Sequence, residues 1–273
     1  MQTFRFRPTF PDWQTAARLA LREQVPPLLA NWEELDTHQP SLALFDSPTS
    51  TPPSAAAPDP TIRVPRDFLP LAKRVSCHRD PKRWTLLYRL LWRHTHGESH
   101  LMQISVDDDM HTLIQMDKAV RRDSHKMRAF VRFRAVQTEQ GQWYVAWFEP
   151  EHLIVELNAP FFRDRFASMR WSILTPDRCV HWDGTELQFT PPATKAQAPD
   201  ADAVEDLWLT YFGSIFNPAR VKIQAMQSEM PKKYWKNLPE AALIPSLIED
   251  APNRVKAMVS RSQQKLAPAQ RPD

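Results

Sequence analysis

Residues 118–134 read KAVRRDSHKMRAFVRFR. They hold Lys118, Arg121, Arg122, Lys126, Arg128, Arg132 and Arg134 against one acid, Asp123. At about 100° per residue, Lys118, Arg121, Arg122, His125 and Lys126 fall within roughly 140° of one another on a helix. Leu113, Met116, Val120 and Met127 fall on the opposite side. A helix of this kind buries one face and offers a basic one, and such a face can track a phosphate backbone through charge and counterion release. The same pattern also suits the solvated face of an ordinary helix. Asp123 falls at the edge of the apolar face. There it can pair with Arg128 or a neighbouring strand, or serve as a buried functional acid.

Two further groups carry chemistry. MPKKYWKNLP, residues 230–239, interleaves Lys232, Lys233 and Lys236 with Tyr234 and Trp235. Aromatic rings that stack on bases, with lysines on phosphates, suit single-stranded nucleic acid; the alternative is that the aromatics anchor a short helix in the core. FEPEH brings Glu149, Glu151 and His152 together after an expected strand, with Asp177, His181 and Asp183 nearby. Carboxylates and a histidine at strand ends can perform general acid–base catalysis, although turns and caps also use Asp177 and Asp183. No spacing matches a metal-ligand pattern, so no metal or cofactor is expected. Cys77 precedes His78, but adjacency alone makes no dyad.

These residues need elements to position them. A helix is expected from about Trp13 to Gln24. A second starts at Asp80-Pro81, the acid capping and the proline in the first turn. A third begins in VDDDMHTLIQ, where acids favour an N-terminus, and runs on through the basic stretch. AFVRFRAV then alternates as a strand, turns near Gly141 and returns in WYVAWFEPEHLIVEL. Asn158 and Pro160 start a short helix, and RWSILTP to RCVHWDGTELQF forms a second hairpin turning at Asp183-Gly184. Val204, Leu207, Trp208, Tyr211 and Phe212 sit at helical spacing, and Asn217-Pro218 opens another helix. The expectation is an α+β protein, with a central antiparallel sheet of about four or more short strands flanked by N- and C-terminal helices.

Composition sets limits. The chain has 273 residues, with 26 prolines, 4 glycines and 2 cysteines. Gly97, Gly141, Gly184 and Gly213 lie too far apart for a phosphate-cradling loop or a dinucleotide fingerprint, and no serine has the glycines of a nucleophile elbow. Prolines cluster from Pro40 to Pro65, an expected linker. It divides a helical segment, 1–39, from a core domain, 66–262, with a flexible tail at 263–273. A shorter proline-rich stretch lies near 190–201. The two cysteines point to a reducing cytoplasm, and no apolar run approaches the roughly 20 residues of a membrane span. Net charge is +3, so the distribution of charge matters more than its sum.

AVRRDSHKMRAFVRFR, YVAWFEPEH, APFFRDRFASMRWSILTPD and YFGSIFNPARVKIQAMQSEMPKKYWKNLPEAALIP closely resemble a bacterial family known as domain of unknown function 4130. The resemblance runs from about residue 66 to 258 and includes the Trp13 helix. The family is described as DNA-repair or DNA-metabolism proteins of unestablished mechanism. Its members are typically encoded beside a radical-SAM protein of DNA modification or repair, and a longer version is fused to a uracil-DNA-glycosylase-like domain. The resemblance thus implies DNA as a partner, with a radical-SAM repair protein or glycosylase-type domain as a second. It supplies no catalytic residue. The glycosylase loops do not occur in these residues, so any base excision is expected to fall to a partner or to an unrecognised site. A hydrolase or lyase using Asp123, Glu149, Glu151 or His152, and a scaffold meeting an acidic protein, are the alternatives.

Overall fold

A computed structural model describes residues 1–35, 64–138, 141–198, 230–235, 238–250, 253 and 256. The linker expected at 40–65 lies outside these residues except for its last two positions. The helices expected over 204–212 and from Asn217, Lys236, and the 263–273 tail also lie outside them. The chain divides into two compact units: Met1–His125 with Pro150–Leu157, and Lys126–Glu149 with Asn158 onward.

The first unit opens with β1 (Gln2–Phe6), α1 (Phe10–Arg22) and β2 (Ala30–Glu34), the strands pairing in parallel. The expected N-terminal helix therefore stands between two strands, as a parallel pair requires of its connection. TFRF is too short for its alternation to stand out from the flanking residues. Thr9 caps α1 by accepting from the Asp12 N–H at 3.3 Å. α2 (Phe68–Val75) and α3 (Lys82–Thr95) follow. Asp80 caps α3 as expected, accepting from the Lys82 N–H at 2.9 Å. α3 anchors an aromatic core. Trp84 stacks on Trp13 at 5.7 Å and meets Phe6 edge-on, while Tyr88 contacts Trp32 at 4.9 Å. The Tyr88 hydroxyl donates to the Val25 carbonyl at 2.6 Å, so the one polar atom of that ring is satisfied. Glu34 accepts from the buried Arg83 at 2.6 Å and from the Trp84 indole, tying β2 to α3.

α4 (Asp108–Phe130) begins in the first unit and continues into the second. The second unit then adds β3 (Arg134–Thr138), β4 (Gly141–Trp147), α5 (Val155–Arg165, its first residues in the first unit), β5 (Trp171–Leu174), β6 (Cys179–Trp182) and β7 (Leu187–Thr190). The five strands form one sheet in chain order. The protein is α+β, as expected, but the sheet is mixed. β4 and β5 run parallel while the other ladders are antiparallel, because α5 carries the chain back to the starting edge of β4. α5 starts at Val155 rather than at Asn158, and Pro160 stands inside it. The Gly141 and Asp183-Gly184 turns fall where expected, both glycines at positive φ. AFVRFRAV does not begin the strand, since α4 runs through Phe130 and β3 opens only at Arg134. Ala146, Phe148, Trp171, Ile173 and Val180 are buried. Tyr234, on the short helix Lys232–Trp235, stacks against Phe130 and Phe148, each at 5.4 Å.

Candidate nucleic-acid interface

The basic stretch depends on α4, and α4 is well started. Asp107 accepts from the backbone N–H groups of Asp109 and Met110, each at 3.1 Å. Arg93 brackets Asp107 and Glu98 at 2.8 and 2.7 Å, and its hydrogen bonds hold the Asp107 carboxyl below the usual carboxylate range. An ionised cap suits the positive end of the helix dipole. Leu113, Met116, Val120 and Met127 are all buried. On the other side Lys118, Arg121, Arg122 and His125 are exposed, and Lys126 is half-buried. The Arg121 side chain is 68% exposed, with its guanidinium 3.7 Å from Asp117. Asp117 is also held by Arg74 of α2. From Lys118 to His125 the exposed polar stripe extends along about 10 Å of helix axis, about three nucleotide steps of one strand.

Asp123 faces the other way and is 1% exposed. Its carboxylate accepts from the His152 N–H at 2.8 Å. It thereby pins the Pro150–Leu157 segment to α4. Leu153 N–H donates to the Cys77 carbonyl at 2.8 Å, and Arg79 Nε donates to the Glu151 carbonyl at 3.0 Å. These bonds bring the His78 and His152 rings to 4.4 Å. His78 Nδ1 accepts from the Asp80 N–H at 3.2 Å, and His152 Nδ1 from the Arg79 N–H at 3.4 Å. A neutral ring that accepts at Nδ1 carries its proton on Nε2. Burial, then the nearby His152, lowers the His78 pKa. Burial pushes the Cys77 thiol up to about 11, far from a reactive thiolate.

A family model described as Domain of unknown function (DUF4130) matches residues 81–240, more than half of the chain. The chain belongs to this family. No curated protein and no solved structure matches it. The DUF4130 match takes in α3, α4 and the five-stranded sheet, and leaves β1, α1 and β2 outside.

The remaining cations lie in the second unit and are more engaged. Arg128 is exposed, but its Nε donates to Asn158 at 2.7 Å and its guanidinium lies 4.7 Å over the Phe161 ring. Arg132 donates to the carbonyls of Ala129 and Val131 at 2.7 and 3.3 Å. Arg134 is half-buried in β3. Lys232 and Lys233 are exposed, with Lys233 Nζ 4.7 Å over the Tyr234 ring. Tyr234 is a core residue, and the half-buried Trp235 donates its indole N–H to the Met230 carbonyl at 2.9 Å. Of the acid group, Asp123, Glu151 and His152 gather in the first unit. Glu149 belongs to the second, where its carboxylate accepts from Trp147 at 2.9 Å. Asp183 caps its own turn through the Thr185 and Glu186 N–H groups.

Two arrangements were not legible in the sequence. His78 lies 74 positions from its ring partner His152, and no local signal marks such a pairing. Ser172 and His181 face each other on β5 and β6, with Ser172 Oγ 2.7 Å from His181 Nδ1. Trp143 donates to Ser172 at 2.8 Å, and His181 Nε2 lies 2.8 Å from Thr190 Oγ1. Alternation places all four on one face of the sheet, but only strand register makes them neighbours.

Proposed function

We propose that this DUF4130 member is a cytoplasmic DNA-binding protein of DNA repair or DNA metabolism, and that it acts beside a glycosylase-type or radical-SAM enzyme. The observation that carries the reading is the exposed stripe of Lys118, Arg121, Arg122 and His125 on a helix whose opposite face is buried. The widely spaced glycines direct phosphate contact to side chains, and this stripe supplies them. Lys126, Arg128, Arg132 and Arg134, with Lys232, Lys233, Trp235 and Lys236, are supplementary contacts. Asp123 accepts from a backbone N–H and Glu149 from an indole, contacts that position the Pro150–Leu157 segment and Trp147, and the reading rests on the exposed stripe.

The test is the double substitution Arg121→Ala with Arg122→Ala, measured by fluorescence anisotropy on duplex and single-stranded oligonucleotides. Both side chains are exposed, so folding stability is expected to stay within about 0.5 kcal/mol. DNA affinity is expected to fall roughly tenfold or more near 0.1 M salt. An unchanged affinity contradicts the reading. Binding to the partner enzyme without binding to DNA selects the scaffold instead.

A further inference from the structure

The N-terminal unit carries a cleft bordered mainly by residues outside the span of the family match. Its volume is about 1470 Å³, larger than the roughly 300–1,000 Å³ of small-molecule pockets and suited to a segment of a polymer. Thr3, Phe4, Arg5, Phe6 and Arg7 all border it. Side chains alternate between faces along a strand. Five consecutive residues therefore border one cleft where it runs along the strand's edge. β2 occupies one edge of β1; among the described residues no strand pairs with the other edge, and the lining points to a cleft that follows it. The wall opposite comes from α1, with Ala16, Arg18, Leu19 and Arg22. Leu19 is 38% exposed.

Positive charge predominates along the cleft. Arg5, Arg7, Arg18 and Arg22 are all exposed. The acid that borders it, Asp12, accepts from the Thr9 hydroxyl at 3.0 Å and caps α1. Arg5 shares its charge with Glu33 at 3.0 Å.

We propose that this cleft takes an extended acidic segment of a partner polypeptide, added as a further strand along β1. A strand edge presents N–H and C=O groups in alternation, and a polypeptide backbone answers both. A phosphodiester backbone offers acceptors alone, and the two phenylalanine rings at the border, Phe4 and Phe6, are buried in the core and give bases no platform. The period of two sets the sequence preference. Residues of the added strand that share a face with Arg5 and Arg7 are acidic, and those turned toward Ala16 and Leu19 are apolar. None of these residues belongs to the α4 stripe, so the proposal stands or falls separately from DNA binding.

The experiment uses the full chain and a fluorescein-labelled hexapeptide of alternating aspartate and leucine, followed by anisotropy at low and moderate salt. Saturable, salt-weakened binding is expected. It should fall about tenfold or more in Arg7→Glu with Arg18→Glu, as for a lost charge-complementary contact. It should fall similarly when the peptide amides on the β1 side are N-methylated, an arm that needs no protein variant. No saturable binding, or binding that neither change moves, overturns the proposal. Direct binding of a labelled DNA oligonucleotide that competes with the peptide on the unsubstituted chain and weakens in the Arg7→Glu with Arg18→Glu variant also overturns it and assigns the cleft to nucleic acid.

Discussion

His181 sits in a hydrogen-bond chain on one face of the sheet. An indole N–H only donates, so Ser172 accepts from Trp143, and its Oγ lies 2.7 Å from His181 Nδ1. His181 Nε2 lies 2.8 Å from Thr190 Oγ1. Burial lowers its pKa from the ordinary 6.5. Between the lowered and the ordinary value the unfolded chain binds more protons, so stability rises with pH there. The contribution is complete above about 6.5 and is lost as pH falls through the folded-state value. Urea denaturation between pH 7.5 and 5 should therefore show stability falling with acid, and His181→Asn should flatten that dependence. An equal slope in both proteins contradicts the assignment. The residue types of this network were plain in the sequence, and its partners were not. The same holds for Asp123, whose position at the edge of the apolar face was readable while its bond to a backbone N–H 29 positions away was not.

Elements were more legible where local chemistry decides them. α4 could be read from its acidic start and its apolar period, and Asp80 and Asp183 act as the cap and turn that their neighbours suggest. The parallel ladder between β4 and β5 was missed. The pattern shows a helix between two strands, but only the tertiary pairing makes that helix the crossover that sets β4 and β5 parallel. The Lys232–Trp235 helix shows how one pattern supports two readings. Interleaved lysines and aromatics suit base stacking, yet Tyr234 is 2% exposed between Phe130 and Phe148. Tyr234→Ala should destabilise the protein by about 3–5 kcal/mol, as other large-to-small aromatic substitutions do. Lys232→Ala should leave stability within about 0.5 kcal/mol. Denaturation midpoints measure both, and a neutral Tyr234→Ala would remove the ring from the core.

Over the whole molecule, a net charge of +3 says little, because the cations are unevenly engaged. Arg74, Arg83, Arg89 and Arg93 are held by acids of their own unit, whereas on α4 Lys118 and Arg122 are exposed and Arg121, 3.7 Å from Asp117, stays 68% exposed. Family membership places α4 and the sheet within DUF4130 without assigning them chemistry, so the electrostatic account has to be tested as electrostatics. The salt dependence of DNA binding does this most directly. If Lys118, Arg121 and Arg122 each neutralise a phosphate, the slope of log K against log salt on duplex DNA should be about −3. Arg121→Ala with Arg122→Ala should bring it to about −1. A wild-type slope near zero, or one that the double substitution leaves unchanged, would contradict the claim that this helix face binds DNA.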